Sequence, residues 1–438
     1  MEEHLNWKRE YSMFTNKKKV LFKNTIFLYI LVFSSYFFAF IAVPYQTRVL
    51  GPEYFGRVGF ALAFMAYFRL LIDFGFLLSA TEEVARKRDN IQELSKIVIA
   101  VNMIKLLLAT FSFVILTLLI ITIPRFQEDS LLYFLAFISI ITGAFLPDYL
   151  YRGLEKMKTI TIQTVFIQAL FVIMLFLFLK NKEQYYLIPL FTSIGNLTVL
   201  IVVYLHAIKV VGIRFVKIEP NYVWNVFKKS NSFFYSRIAS TVYSSTNTFT
   251  LGLMYPIGSN IVGLYNSADK LVTTAKSGFS PIADSLYPYM VRNRDFKLVR
   301  KILFIIMVPV IIVCLIVGIY AEELVVFLLG EDFRGSGDIL KFLIPIVAMT
   351  PLIYILGFPV LSPMGLSKHA NLSIITASVF HLIGLISLIV LGKLSITLLC
   401  FLTILTELVI LLYRVFIIWK NKAAFMSNTS QNSVRNSI

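Results

Sequence analysis

The feature that most constrains this chain is a series of apolar runs, each about 20 residues long, separated by short polar loops. A helix rises about 1.5 Å per residue, so one such run crosses the roughly 30 Å of hydrocarbon in a bilayer. We count twelve runs, at 24–44, 57–78, 94–123, 131–151, 159–179, 186–206, 231–254, 262–288, 299–320, 337–360, 371–392 and 395–418. They predict an all-α polytopic membrane protein with twelve transmembrane helices.

Composition and charge exclude several other classes of protein. The chain is 58% hydrophobic and only 15% charged, whereas soluble proteins carry about a quarter charged residues. The net charge of +17 does not indicate nucleic acid, because the basic residues lie in loops between the apolar runs. No loop is long enough for a catalytic domain, and neither a phosphate-binding glycine loop nor a metal-ligand spacing of histidines occurs. We therefore expect no enzyme activity, no cofactor and no metal.

The distribution of Lys and Arg predicts the orientation. Alternating the loops between the two sides puts about 27 of the 41 basic residues on one side and about 7 on the other. Basic loops stay in the cytoplasm, so both termini are predicted to be cytoplasmic.

Similar spacings in the two halves indicate an internal duplication. The matching positions are Gly56, Gly59 and Ala61 against Gly263, Asn266 and Ala268, and the basic runs 86–89 and 292–295. Each half holds an even number of spans, which predicts two six-helix lobes related by a parallel pseudo-two-fold axis, with the substrate path between them. The predicted parts are a cytoplasmic segment 1–23, an N-lobe 24–206, a cytoplasmic linker 207–230, a C-lobe 231–420 and a disordered cytoplasmic tail 421–438.

A sharp hairpin joins the first two predicted spans. Pro44 is expected to end the first helix, since proline lacks the amide donor and clashes with the preceding turn. Gly51-Pro52 is expected to form the corner, and Gly56 to allow a close start to the next helix.

Charged residues within the predicted spans are the candidate functional residues, because a charge at that depth normally faces a cavity or a partner. Basic residues on several helices indicate a wet cavity that accepts an anion; they include Lys105, Arg237, Lys270 and Lys276. Arg69 and Asp73 are four apart and can pair on one helix face, either structurally or in ion coupling. Asp269 and Lys276 share one stripe of span 8, and Glu407 is an isolated acid in span 12 that could load a proton or cation, or simply bond a neighbouring helix. Lys341 and Arg414 lie near span ends, where snorkelling to the surface is the expected behaviour.

Three segments resemble a known family. Residues 44–56, Pro-Tyr-Gln-Thr-Arg-Val-Leu-Gly-Pro-Glu-Tyr-Phe-Gly, and residues 73–81 are similar to motifs of the Wzx-type O-antigen and polysaccharide repeat-unit flippases. Residues 262–270, which end in Ala-Asp-Lys, resemble the second-half motif of these members of the multidrug/oligosaccharidyl-lipid/polysaccharide exporter superfamily.

The resemblance implies two lobes that open alternately to each side of a bacterial inner membrane. The implied substrate is an undecaprenyl-pyrophosphate-linked oligosaccharide, moved from the cytoplasmic to the periplasmic leaflet. On this hypothesis the head group is bound by Arg48, Lys105, Arg237, Lys270 and Lys276, whereas Arg69, Asp73, Asp269 and Glu407 are candidates for coupling to H+ or Na+. Membrane lipid and polysaccharide polymerase or assembly proteins are the other expected partners.

Other functions stay open at this point. A multidrug exporter of the same fold would favour an acidic cavity for its cationic substrates, and a peptidoglycan-precursor flippase would be expected to have additional spans. A membrane polysaccharide polymerase or glycosyltransferase would need a large periplasmic loop with catalytic acids. The longest candidate loop, 321–336, is short, although it contains four acids.

Overall fold

The computed structural model describes the backbone of residues 2–435 and the side chains of residues 23–421, except 236, 239, 240 and 242–244. Throughout the described backbone the ordered elements are helices and there is no strand, which confirms the all-α prediction. The predicted N-terminal segment 1–23 and tail 421–438 lie almost wholly outside the described side chains, so those two assignments stay predictions.

Nine helical stretches within the described residues are long and apolar enough to cross a membrane. One of them, Lys23–Arg86, is 64 residues long and contains the first two predicted spans. The segments predicted as spans 7 and 8 do not reach the same hydropathy, since they are rich in Ser, Thr, Asn and charged residues. The chain is thus a multi-pass membrane protein, while the number twelve and the two-fold axis remain predictions.

The helices group into two compact units. Unit 1 consists of Met1–Leu50 and Phe60–Arg237, and unit 2 of Gly51–Gly59 and Ile238–Ile438. The first nine helices are α1 (Glu2–Asp73), α2 (Phe76–Arg86), α3 (Ile91–Thr122), α4 (Pro124–Gln127), α5 (Ser130–Ala144), α6 (Asp148–Gly153), α7 (Met157–Phe178), α8 (Leu187–His206) and α9 (Pro220–Met254). The other eight are α10 (Asn260–Ser277), α11 (Ser280–Asn293), α12 (Phe296–Ile319), α13 (Ala321–Leu329), α14 (Ser336–Leu356), α15 (Phe358–Leu361), α16 (Ser367–Val390) and α17 (Ile396–Arg435).

Within unit 1, α5 and α7 pack on α8, and α2 packs on α3 and α6. The core contains the fully buried side chains of Phe76, Tyr149 and Tyr151. Within unit 2, α14 is the central helix, in contact with α10, α12 and α17, and α16 packs on α17.

The hairpin after the first span differs in one respect from the expectation. Helical hydrogen bonding continues through Pro44, so the prediction that Pro44 ends the helix is wrong. The break lies at Gly51, whose φ of 66° and ψ of 175° are non-helical. Positive φ costs little for glycine because it has no Cβ, so the corner predicted at Gly51-Pro52 is confirmed.

Four predicted spans are interrupted. Span 2 is broken at Phe74-Gly75 and span 10 at Gly357. Span 8 divides at Gly278-Phe279 into α10 and α11, and Pro281 stands at the start of α11, where its missing amide costs nothing. Span 4 divides before Pro147 into α5 and α6. Such breaks leave backbone carbonyls without a helical hydrogen-bond donor inside the bundle. At the break in span 4, one of these carbonyls accepts a hydrogen bond from a buried lysine described below.

Candidate substrate and ion sites

In unit 1, one carboxylate is shared by three cations. Asp73 is the last residue of α1, and its Oδ2 lies 3.6 Å from Arg69 Nε and 4.0 Å from Arg237 Nη1. Its Oδ1 lies 3.8 Å from Lys105 Nζ. The predicted Arg69–Asp73 pair on one helix face is confirmed, and α3 and α9 add the other two cations. We call these four residues the Asp73 cluster.

The cations of the Asp73 cluster differ in accessibility. The Lys105 side chain is buried, whereas that of Arg69 is 59% exposed and that of Arg237 is 32% exposed. Lys105 therefore holds Asp73 from within unit 1, and the two guanidinium groups are the members that a solute can reach.

Lys105 is positioned by the break in span 4. Its ammonium donates a hydrogen bond to the carbonyl of Ala144, at the C-terminal end of α5, where the helix dipole favours a positive charge. The same ammonium lies 5.6 Å from the centre of the Tyr149 ring, within the range of a cation–π interaction. Lys105 thus has a fixed place inside the bundle and does not line an open surface.

Two further residues next to this site were not among the candidates from sequence. Asp148 accepts a hydrogen bond from Gln163 Nε2 and interacts electrostatically with Lys105. The hydroxyl of Tyr149 is buried with no hydrogen-bond partner among the described residues. Pro147, the N-cap residue of α6 directly before Asp148, is the sequence feature that marks this place.

In unit 2, Lys276 of α10 donates to the carboxylate of Glu407 on α17. The Glu407 side chain is 3% exposed and that of Lys276 is 17% exposed. The sequence identified both residues as candidates, and the structure brings them into one ion pair.

A cavity of about 650 Å³ adjoins this pair. Its walls come from α10, α11, α14, α15, α16 and α17, and its polar lining includes Lys276, Asp284, Tyr287, Glu407 and Arg414. The rest of the lining is mainly apolar. The volume is within the usual range for a small-molecule site. Acids and bases balance in this cavity, so its lining carries no excess of positive charge.

Arg414 corrects one expectation directly. Its side chain does not snorkel to the surface: it is buried, Nε donates to Ser373 Oγ at 3.0 Å, and Nη2 donates to the Ala370 carbonyl at 3.3 Å. Nη1 donates to the Ile353 carbonyl. Lys341, in contrast, lies partly exposed and donates to Glu322 Oε1 at 2.7 Å, as expected near a span end.

Asp269 interacts electrostatically with Lys276 on the same helix, whereas Arg48 and Lys270 belong neither to the Asp73 cluster nor to the Lys276–Glu407 pair. Lys270 is exposed and forms no hydrogen bond or ion pair with the described side chains, and Asp269 likewise has no side-chain hydrogen bond among them. Arg48 is exposed and belongs to unit 1. The substrate-binding roles of Arg48 and Lys270 and the ion-coupling role of Asp269 stay predictions.

A buried polar network in unit 2 was also missed from sequence. His381 Nε2 lies 2.8 Å from Asn247 Oδ1, and His381 Nδ1 lies 2.9 Å from Thr406 Oγ1. Asn247 Nδ2 donates to the Tyr265 hydroxyl at 2.9 Å. The network ties α9, α10, α16 and α17 together, and Thr406 places it next to Glu407. No group of three or more His, Cys, Asp or Glu residues that could hold a metal occurs in the part of the chain that the structure describes.

Comparisons with known proteins agree with this architecture. The family model described as "Polysaccharide biosynthesis protein" matches residues 21–294. A protein of Escherichia coli (strain K12) with the name "Putative O-antigen transporter" is 24% identical over 414 residues, which are 92% of this chain and 98% of that protein.

Two solved structures share the fold at low identity. The lipid II flippase MurJ, in an inward closed conformation, is similar with a TM-score of 0.67 and 12% identity over 90% of this chain and 87% of that one. An inward-facing multidrug resistance MATE family transporter of the MOP superfamily gives 0.63 and 13%, over 88% and 96% of the two chains. The resemblance inferred from residues 44–56 and 262–270 is confirmed, and the chain belongs to the polysaccharide biosynthesis protein family.

Proposed function

We propose that this protein is a flippase that moves a lipid-linked oligosaccharide across a bacterial inner membrane by alternating access. The family assignment, the name of the Escherichia coli relative and the fold shared with a lipid II flippase support transport and not bond-forming catalysis. The substrate we propose is an undecaprenyl-pyrophosphate-linked repeat unit, carried from the cytoplasmic to the periplasmic leaflet, with both termini in the cytoplasm.

The Asp73 cluster is the observation that carries this proposal. Three cations around one acid leave an excess of positive charge among helices of a membrane protein, and such charge is costly unless an anion or water balances it. A diphosphate carries at least two negative charges and accepts paired hydrogen bonds from guanidinium groups. Arg69 and Arg237, the accessible members, are therefore the residues that we propose contact the diphosphate.

The position of Asp73 also explains how the head group could leave again. Asp73 competes with a bound anion for the same two guanidinium groups, which keeps binding from becoming too tight. Lys105 is too deeply buried to contact the head group directly and holds Asp73 in place. We therefore assign Lys105 a positioning role.

For unit 2 we propose a coupling role. A buried pair is stable only while both partners are charged and close. Binding of H+ or Na+ to Glu407 would neutralise the acid and release Lys276 toward the 650 Å³ cavity. Asp269, seven residues before Lys276 on the same helix, is a second candidate for the coupling site.

The proposal is tested by removing the protein from its host and measuring lipid-linked oligosaccharide. We expect repeat units to accumulate on the cytoplasmic side and surface polysaccharide to be lost, with recovery by the wild type but not by Arg69→Gln. Arg334→Gln is the control, because Arg334 bonds Glu331 at an exposed turn. Normal polysaccharide without the protein, together with increased drug sensitivity, would instead indicate the multidrug exporter.

A further inference from the structure

A groove of about 400 Å³ lies in unit 1 between α3 and the N-terminal end of α9. Its α3 wall is formed by Met103, Ile104, Leu107 and Leu108, and the other wall by Ile218, Pro220, Val223, Trp224 and Phe227. All nine lining residues are apolar. We infer that this groove binds an anionic phospholipid of the bilayer, with an acyl chain between the walls and the head group against Lys217 and Lys228.

The depth of the groove fits a lipid. Apart from Ile91, the large exposed apolar side chains of α3 begin at Met103 and continue through Leu106 and Leu107 to Ile121. About 20 residues cross the hydrocarbon, and counting back 20 from Thr122, the end of α3, also reaches Met103. Two independent observations therefore place the boundary between hydrocarbon and head groups at the level of this groove.

Aromatic side chains mark the same level. Trp224 is 63% exposed and Phe215 is 94% exposed, although both precede the apolar part of α9. Tryptophan is enriched at membrane interfaces, where its ring contacts acyl chains and its indole N–H reaches the polar layer. The Trp224 ring stacks on Phe227 at 5.5 Å, and Phe227 stacks on Phe74 at 4.4 Å. Trp224 is thus held in place by the core of unit 1.

The charges beside the groove select an anionic head group. Lys217 precedes the lining residue Ile218, and Lys228 lies one helical turn after Trp224 on the same face of α9. Both lysines are exposed and form no ion pair with a described side chain. A soluble partner would have to cover aromatic groups that already lie at bilayer level, whereas a lipid satisfies both the apolar walls and the two ammonium groups.

The backbone around the groove is fixed before any lipid arrives. The amide of Arg214 donates to Ser95 Oγ at 3.0 Å, and Lys87 lies 5.8 Å from the Tyr222 ring. The first contact holds the connection between α8 and α9 against α3, and the second holds the start of α9 against the end of α2. The site is therefore preorganised, which lowers the entropic cost of binding.

The test uses Trp224 as the reporter. A Trp7→Phe/Trp419→Phe protein leaves Trp224 as the single tryptophan, and it is reconstituted with phospholipids brominated on one acyl chain. Each basic residue near an anionic lipid contributes about a factor of five. We expect half-maximal quenching of Trp224 fluorescence at an about 25-fold lower fraction of brominated phosphatidylglycerol than of brominated phosphatidylcholine. In Lys217→Gln/Lys228→Gln the two lipids should quench nearly equally.

The control variant removes the same charge elsewhere. Lys180→Gln/Lys182→Gln lies in the hairpin between α7 and α8 and should keep the wild-type preference. Equal quenching by the two lipids in the protein with both lysines would mean that bulk lipid merely solvates the groove. That result would overturn the inference. Absence of quenching by either lipid would mean that protein covers Trp224, and would overturn it as well.

Discussion

Lys276 and Glu407 are 131 residues apart in the chain and form one buried ion pair between α10 and α17. Neither residue has an oppositely charged neighbour that could replace its partner one helical turn away in sequence. The pair therefore links two helices and also holds two charges at the edge of a cavity. The energetics of the pair can be examined separately from its proposed role in transport.

Breaking the pair from one side should cost more than removing it. Lys276→Met or Glu407→Leu alone leaves a buried charged partner, and such a loss costs about 3–5 kcal/mol. The double variant Lys276→Met/Glu407→Leu should recover most of that stability. Thermal unfolding of the purified proteins measures this cycle.

An exposed pair provides the reference for that cycle. Arg334→Met removes a pair with Glu331 whose side chains are both largely exposed, so its cost should stay below about 1 kcal/mol. Additive effects of the Lys276 and Glu407 single variants would contradict the buried pair.

Asp73→Asn separates binding from transport. Without its carboxylate, Arg69 and Arg237 are no longer held by an acid, so binding of polyprenyl diphosphate should tighten by on the order of tenfold. Transport should fail, because release becomes slow and the cations repel one another. Affinity is measured in nanodiscs and transport by surface polysaccharide at matched protein level. Weaker binding by Asp73→Asn would show that the acid and the anion do not share these cations.

Gly263→Ala should disrupt unit 2. A Cβ at this position would lie 1.8 Å from the Pro52 carbonyl oxygen, so backbone would have to move. Overpacking costs about 1–3 kcal/mol, and we expect a lower melting temperature and loss of function. Gly318→Ala is the matched control on α12, since its nearest neighbour would be Ile344 Cδ1 at 3.8 Å. Equal behaviour of the two variants would argue against the close approach of Pro52 to α10.

His381→Leu should destabilise unit 2 without touching the cavity. It leaves Asn247 Oδ1 without its ring partner, and an unsatisfied buried group costs about 1–3 kcal/mol. The Thr406 hydroxyl loses the ring as well but keeps its hydrogen bond to the Leu402 carbonyl at 2.7 Å. His369→Leu is the comparison, because His369 bonds Tyr413 at a half-buried position. A thermal shift for His381→Leu no larger than for His369→Leu would indicate that the network contributes little.

Local patterns predicted local structure well. The corner at Gly51-Pro52 and the Arg69–Asp73 pair depend on residues close in the chain, and both are present. Gly56 and Gly263, which the sequence spacing paired as matching positions of the two halves, are in close contact: a Cβ on Gly56 would lie 2.7 Å from Gly263 N. Small residues at equivalent positions permit such an approach.

Contacts between side chains on different helices could not be predicted from the sequence. Glu407 looked isolated because its partner lies on another helix, and Arg414 looked able to snorkel because three carbonyl or hydroxyl acceptors on α14 and α16 could not be anticipated. The His381 network has no spacing signal, since its members come from four helices. The prediction that Pro44 ends the first helix was wrong because the missing amide removes one hydrogen bond, whereas the hydrogen bonds of the neighbouring residues persist.

The most direct measurement follows a labelled polyprenyl diphosphate oligosaccharide, placed in both leaflets of proteoliposomes that contain the purified protein. An externally added glycosidase cleaves only the outer leaflet. We predict cleavage of nearly all the label with the wild type, but of only about half with Arg69→Gln or with empty vesicles. Cleavage of about half with the wild type, under the same gradients of H+ or Na+, would contradict the proposed transport.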